Sequence, residues 1–131
     1  MHDRLKILEE NITELALFKK EHPLEEIKKT RTSGWALRYG FLESIQIVID
    51  IACHLVSEYN LGNPETYNEC IELLRKYNHI DEKLEEKLIG MVGLRNILAH
   101  EYVNVKIEKL YGFLDHLDDM REFIRQIKGL I

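Results

Sequence analysis

The chain has 131 residues, enough for one domain, residues 1–131, that buries roughly two thirds of its unfolded surface without metal or disulfide staples. A net charge of −5 excludes a general nucleic-acid binder, which must neutralise phosphates over a broad face, so any such contact has to be local. No run of 18 apolar residues occurs and residues 1–6 are not followed by an apolar stretch, so neither a membrane span nor a secretory leader is expected and the chain is placed in the cytoplasm.

Residues 3–20 carry Leu5, Leu8, Ile12 and Leu15 at spacings of three and four, the period of a helix with one buried stripe. Glu9, Glu10 and Glu14 precede Lys19 and Lys20, an order that suits the helix dipole, and Pro23 stops the pattern. Apolar content thins over 24–32, and Thr32-Ser33-Gly34 offers a cap or a break before Trp35. The longest helix follows: Leu37, Phe41, Ile45, Val48, Ala52 and Leu55 form the stripe, and Leu42, Ile49 and Val56 widen it as packing on several neighbours requires.

Leu61-Gly62-Asn63-Pro64 ends that helix, and Asn63 as cap with Pro64 in the first turn predicts a third helix over about 64–77. Asp81 caps a fourth, which turns Leu84, Leu88, Met91 or Val92, and Leu98 inward. Asn104 is the expected cap of a fifth, carrying Ile107, Leu110, Leu114, Leu117, Ile124 and Ile127. No segment alternates with period two. The expectation is an all-α antiparallel bundle of about five helices with two long central ones. Cys53 and Cys70, 17 apart without Cys-x-x-Cys spacing, are expected as reduced thiols, and Gly90, Gly93 and Gly112 as points of close helix approach.

The chemistry concentrates at the end of the fourth helix, in Gly93-Leu94-Arg95-Asn96-Ile97-Leu98-Ala99-His100-Glu101-Tyr102. An always-cationic guanidinium, an imidazole and a phenol in one short stretch suit chemistry on a phosphate ester. On an ideal helix Asn96 and His100 share a face, about 40° apart, whereas Arg95 and His100 differ by about 140°. Convergence of Arg95 and His100 on one phosphate therefore needs a distorted helix end, an arginine that wraps round, or a second copy of the chain.

Arg95-Asn96, His100 and Tyr102 resemble the signature of the HEPN superfamily, and the trailing tyrosine resembles its HepT branch, the toxin partner of a minimal nucleotidyltransferase antitoxin. Residues 35–46, 50–54, 64–67 and 91–95 are similar to further stretches of that family in the same order, so the resemblance covers most of the chain from about residue 35. It implies a HEPN-type bundle and a homodimer whose motif ends face each other. It also implies a metal-independent endoribonuclease without cofactors, acting on tRNA or mRNA to leave 2′,3′-cyclic phosphates. Arg95 and His100 would then be catalytic with Asn96 in support, and Tyr102 the acceptor of AMP that silences a type VII toxin–antitoxin pair. Two alternatives stand beside it: a weakly active or inactive nucleotidyltransferase-binding subunit, and a structural helical dimer.

Other groups are candidates of lesser weight. Asp50 and His54, one turn apart, are candidates to ligate a metal or to orient His100 from the neighbouring helix, although such a pair is more commonly an ordinary helix-surface contact. Lys28, Lys29, Arg31 and Arg38 are the densest basic cluster and the candidate RNA contact, against the plainer reading of a solvated helix approach. Asp115, His116, Asp118 and Asp119 point round a helix and are expected to be a solvated acidic face; no metal site is expected.

Overall fold

The computed structural model describes the backbone of all 131 residues and the side chains of all except Tyr102. Seven α-helices follow in order, and no strand occurs among the described residues: α1 His2–Glu21, α2 Leu24–Lys29, α3 Arg31–Glu58, α4 Tyr67–Lys76, α5 Glu82–His100, α6 Ile107–Gly112 and α7 Asp118–Ile127. The expected five helices are α1, α3, α4, α5 and the α6–α7 arm. Short α2 is additional, and the arm is broken by a 3-10 turn over Phe113–His116.

α3 is the hub, packed on α1, α2, α4, α5 and α6. Its expected stripe from Leu37 to Leu55 is buried throughout, and Ile47, Ile49, Ile51 and Val56 extend burial round most of the helix. By length and mean hydropathy alone α3 could cross a membrane, yet half of that apolar window lies inside the bundle. α1 contributes Leu8, Ile12 and Leu15, α5 contributes Leu84, Leu88, Val92 and Leu98, and the arm contributes Leu110, Leu114, Leu117, Phe123 and Ile127.

Helix ends explain where the elements stop. His22 is extended ahead of Pro23, whose ring disfavours helical backbone in the residue before it. α3 and α4 each close through an asparagine in the left-handed region, Asn60 at φ 52° and Asn78 at φ 63°. The next amide of each reaches back, Leu61 to the Val56 carbonyl and His79 to that of Leu74, both at 2.9 Å. Asp81 caps α5 as expected, its carboxylate accepting from the Leu84 amide at 2.8 Å.

Three boundaries differ from expectation. α4 begins after Thr66, whose hydroxyl accepts from the Glu69 amide at 3.1 Å, rather than after Asn63. The reason lies in Gly62, at φ +152° and pressed against Leu73: the connection first runs across α4, and only then enters it. α3 begins at Arg31, not Trp35, so Gly34 is an interior, buried helix residue. Asn104 sits in a 3-10 turn, Tyr102–Asn104, and α6 starts after Lys106 without a side-chain cap.

Two further expectations are corrected. Cys53 on α3 and Cys70 on α4 are joined as a disulfide, because the two inward faces bring their Cα atoms to 5.1 Å, within the span a disulfide bridges. Gly90, Gly93 and Gly112 have open space where a Cβ would stand; the close approach is instead at Gly40, against Leu15 of α1.

Candidate active site

The motif occupies the last two turns of α5, at the edge of the surface shared with α3 and α4. α5 stays helical through His100, and the chain turns away only at Glu101, whose amide donates to the Ile97 carbonyl at 2.7 Å. Arg95 is drawn toward α3. Its Nε donates to Gln46 Oε1 at 2.8 Å, and Gln46 Nε2 donates in turn to Asp50 Oδ1 at 2.9 Å. The Gln46 amide thus presents its oxygen to a cation and its nitrogen to a carboxylate, an orientation that a flip would spoil at both ends.

Two more groups complete the holder. Arg95 Nη1 donates to Asn96 Oδ1 at 3.1 Å, and the guanidinium carbon lies 5.3 Å from the ring centroid of Tyr67, the first residue of α4. Of the five guanidinium N–H donors two are spent, and three have no partner among the described residues. A fixed, part-buried fork with free donors is suited to two oxygens of a phosphate.

His100 is exposed at the helix C-terminus and makes no hydrogen bond among the described residues. Asn96, expected in a supporting role on the helix face of His100, gives its carbonyl oxygen to Arg95. Asp50 likewise stands behind Arg95 through Gln46 rather than behind His100. His54 takes no part: its Nε2 lies 3.1 Å from Glu58 Oε2, one turn further along α3 and away from the motif. Tyr102 as AMP acceptor lies outside the described side chains.

The Ribonuclease HepT-like family matches residues 8–127, nearly the whole chain. The chain belongs to the HepT-like ribonuclease family. It is 37% identical over 82 residues to the mRNA nuclease HepT of Shewanella oneidensis, a match that spans 62% of this chain and 62% of that relative's length. With the tRNA nuclease HepT of Aphanizomenon flos-aquae it shares 29% identity over 87 residues, 66% of this chain and 59% of that one. Among solved structures, a tri-AMPylated HEPN toxin from Shewanella oneidensis in complex with an MNT antitoxin superposes with a TM-score of 0.83 at 26% identity, covering 98% of this chain and 99% of that one.

Against this HepT-like frame the basic cluster divides. Lys28 lies 3.5 Å from Glu108 of α6, Lys29 is exposed, Arg31 places its guanidinium 5.2 Å from the Trp35 ring centroid, and the Arg38 Nε is shielded without a partner among the described residues. Lys28 and Arg31 each have a partner, and the Arg38 Nε is shielded, which leaves Lys29 as the exposed cation of the four with no contact among the described residues. Gln46 and Tyr67 are the site residues that sequence reasoning missed. A signal for Gln46 existed: Gln46 and Asp50 are a polar pair one turn apart on the most apolar helix of the chain.

Proposed function

We propose that this HepT-like chain is the toxin of a toxin–antitoxin pair and a metal-independent endoribonuclease that works as a two-fold homodimer in the cytoplasm. One observation carries the proposal: Arg95 is tied to α3 while α5 stays regular to His100, some 140° away round the helix. Neither a distorted end nor a wrapping arginine brings them together. A second copy, facing the first across the motif ends, supplies the missing group.

In such a pair, one His100 removes the proton from a ribose 2′-hydroxyl, and the resulting oxygen attacks the adjacent phosphorus. His100 of the partner subunit protonates the departing 5′-oxygen, and the free donors of Arg95 meet the charge on the phosphorane oxygens. The products are a 2′,3′-cyclic phosphate and a 5′-hydroxyl. A positioned acid or base contributes about 10² to 10⁴ in rate, which sets the scale of the loss on removing His100. Substrate is an RNA of the kind the named relatives cut, mRNA or tRNA.

The antitoxin is a minimal nucleotidyltransferase that transfers AMP to Tyr102, two residues beyond His100. A nucleotide there adds negative charge and bulk close to the motif in sequence, as other charge-changing modifications switch sites. The AMPylated toxin complex among the relatives supports this step. A second reading, a binding subunit with little catalysis, draws on the net charge of −5, which opposes broad attraction of a polyanion.

The test is cleavage of labelled single-stranded RNA and of total tRNA by the parent and His100→Ala proteins, both in EDTA. Cleavage by the parent alone, with cyclic-phosphate ends, is expected; equal cleavage by both refutes the role of His100, and none by either favours the binding subunit. Tyr102→Phe is expected to lose AMP transfer; modification at the stoichiometry of the parent refutes Tyr102 as the acceptor.

A further inference from the structure

We propose that the outer face of the first half of α3 is a base-stacking track that leads single-stranded RNA into the motif, with Trp35 and Tyr39 as its platforms. This deepens the nuclease proposal and rests on it. Trp35 is 56% exposed and Tyr39 62% exposed, unusual for the chain's one tryptophan in a bundle with a well-filled core. Their positions are not scattered. At 100° per residue Trp35, Tyr39 and Gln46 lie within about 40° of one another on α3, so the two rings share a face with the residue that holds Arg95. From Trp35 to Gln46 the helix rises about 16 Å, the reach of roughly three to five nucleotides of a single strand.

Both rings are held in place rather than free to collapse onto the core. The Tyr39 hydroxyl donates to Glu43 Oε2 at 3.1 Å, and Glu43 Oε1 accepts from Asn11 Nδ2 of α1 at 2.8 Å. The Arg31 guanidinium lies over the Trp35 ring at 5.2 Å, and the tryptophan still keeps more than half of its surface exposed. Fixed rings and one stacked cation lose little freedom on binding a planar base. Arg31 at one end and Arg95 at the other supply the cations, with Glu43 the carboxylate between them. Stacking also answers the charge difficulty: an acidic chain can grip RNA if bases, not phosphates, carry most of the affinity. Duplex RNA, whose bases are already stacked and paired, gains nothing from such a track.

Trp35 is its own reporter. A single-stranded 12-mer with methylated ribose 2′-oxygens has no attacking hydroxyl, so binding is read without cleavage. Titration is expected to quench the tryptophan emission saturably, whereas a duplex of the same sequence is expected to leave it nearly unchanged. With a dye on the RNA, Trp35→Ala and Tyr39→Ala are each expected to raise Kd roughly 5- to 100-fold, and Trp35→Phe to stay near the parent. The log–log salt slope should be no steeper than about −2, the value for some three phosphate contacts.

The outcomes separate cleanly. If the parent cleaves RNA in EDTA while Trp35→Ala alters neither Kd nor KM, the track is refuted and the nuclease stands. If the parent neither binds nor cleaves, the proposed nuclease falls and the track with it. If Trp35→Ala turns a dimer into monomers in sedimentation while RNA affinity per chain holds, a second copy covers this face and the RNA track is refuted.

Discussion

Gln46→Met replaces the amide with a side chain of similar length and removes both of its polar contacts, the 2.8 Å bond from Arg95 Nε and the 2.9 Å bond to Asp50. A hydrogen bond to a charged group is worth about 1.5–3 kcal/mol, and leaving Arg95 with Asn96 and Tyr67, plus water at a half-buried site, selects the lower end. Some 1.4 kcal/mol is tenfold in rate, so on the proposed mechanism kcat for RNA cleavage should fall about tenfold, with KM changed by less than about twofold because the free Arg95 donors remain. Single-turnover cleavage measures the chemical step, and a melting curve confirms the fold. Arg95→Lys, which has no Nε–H to give Gln46, provides the cross-check. On that background Gln46→Met should cost almost nothing further, a coupling of about 1 kcal/mol or more. Rates within twofold of the parent, or equal losses on both backgrounds, would refute the claim that α3 positions the arginine.

Three other outcomes are expected. Loop closure across the 17-residue Cys53–Cys70 separation is worth about 3 kcal/mol, so dithiothreitol or Cys53→Ser should lower the urea midpoint markedly; an unchanged midpoint would mean no cross-link. Thr66→Ala should cost about 1 kcal/mol in chemical denaturation and Asn63→Ala close to none, and the reverse order would move the start of α4 to Pro64. Arg125 and Gln126 hold the Glu122 carboxyl down to about 2 from an ordinary 4.5. The folded state therefore binds fewer protons than the unfolded one between those values, and stability present above pH 4.5 drains away as pH falls toward 2. Glu122→Gln should flatten that part of the stability profile, and added salt should shrink the difference, since the group is exposed.

Helix type and inward face were legible because three-and-four spacing is a property of single segments: Leu8, Ile12 and Leu15, or Leu84, Leu88 and Leu98, are buried as their period requires. Boundaries were less so. Asn63-Pro64 is a good local start signal, and it lost to Gly62 packing on Leu73, a tertiary contact that no cap rule contains. The break in the α6–α7 arm also escaped, since Leu110, Leu114 and Leu117 keep a helical period through a 3-10 turn and remain buried. At the site, the motif arginine and histidine stood out by chemistry. The partners of Arg95 did not, for Gln46 lies 49 residues away in sequence and only the register of α3 against α5 brings it near. The disulfide was hidden for the same reason.

Arg95 is gripped by a neighbouring helix, so the direction of its free donors reports the spacing of α3 and α5. That spacing is set by the interior. Ile45 of α3 and Leu94 of α5, the neighbours in sequence of Gln46 and Arg95, line one groove with Phe41, Met91 and Phe113. A displacement of about 1 Å between reacting groups costs on the order of a hundredfold in rate, while the same change in a tolerant core costs little stability. A member of this family can therefore fall silent through drift in its interior, with every motif residue still in its place.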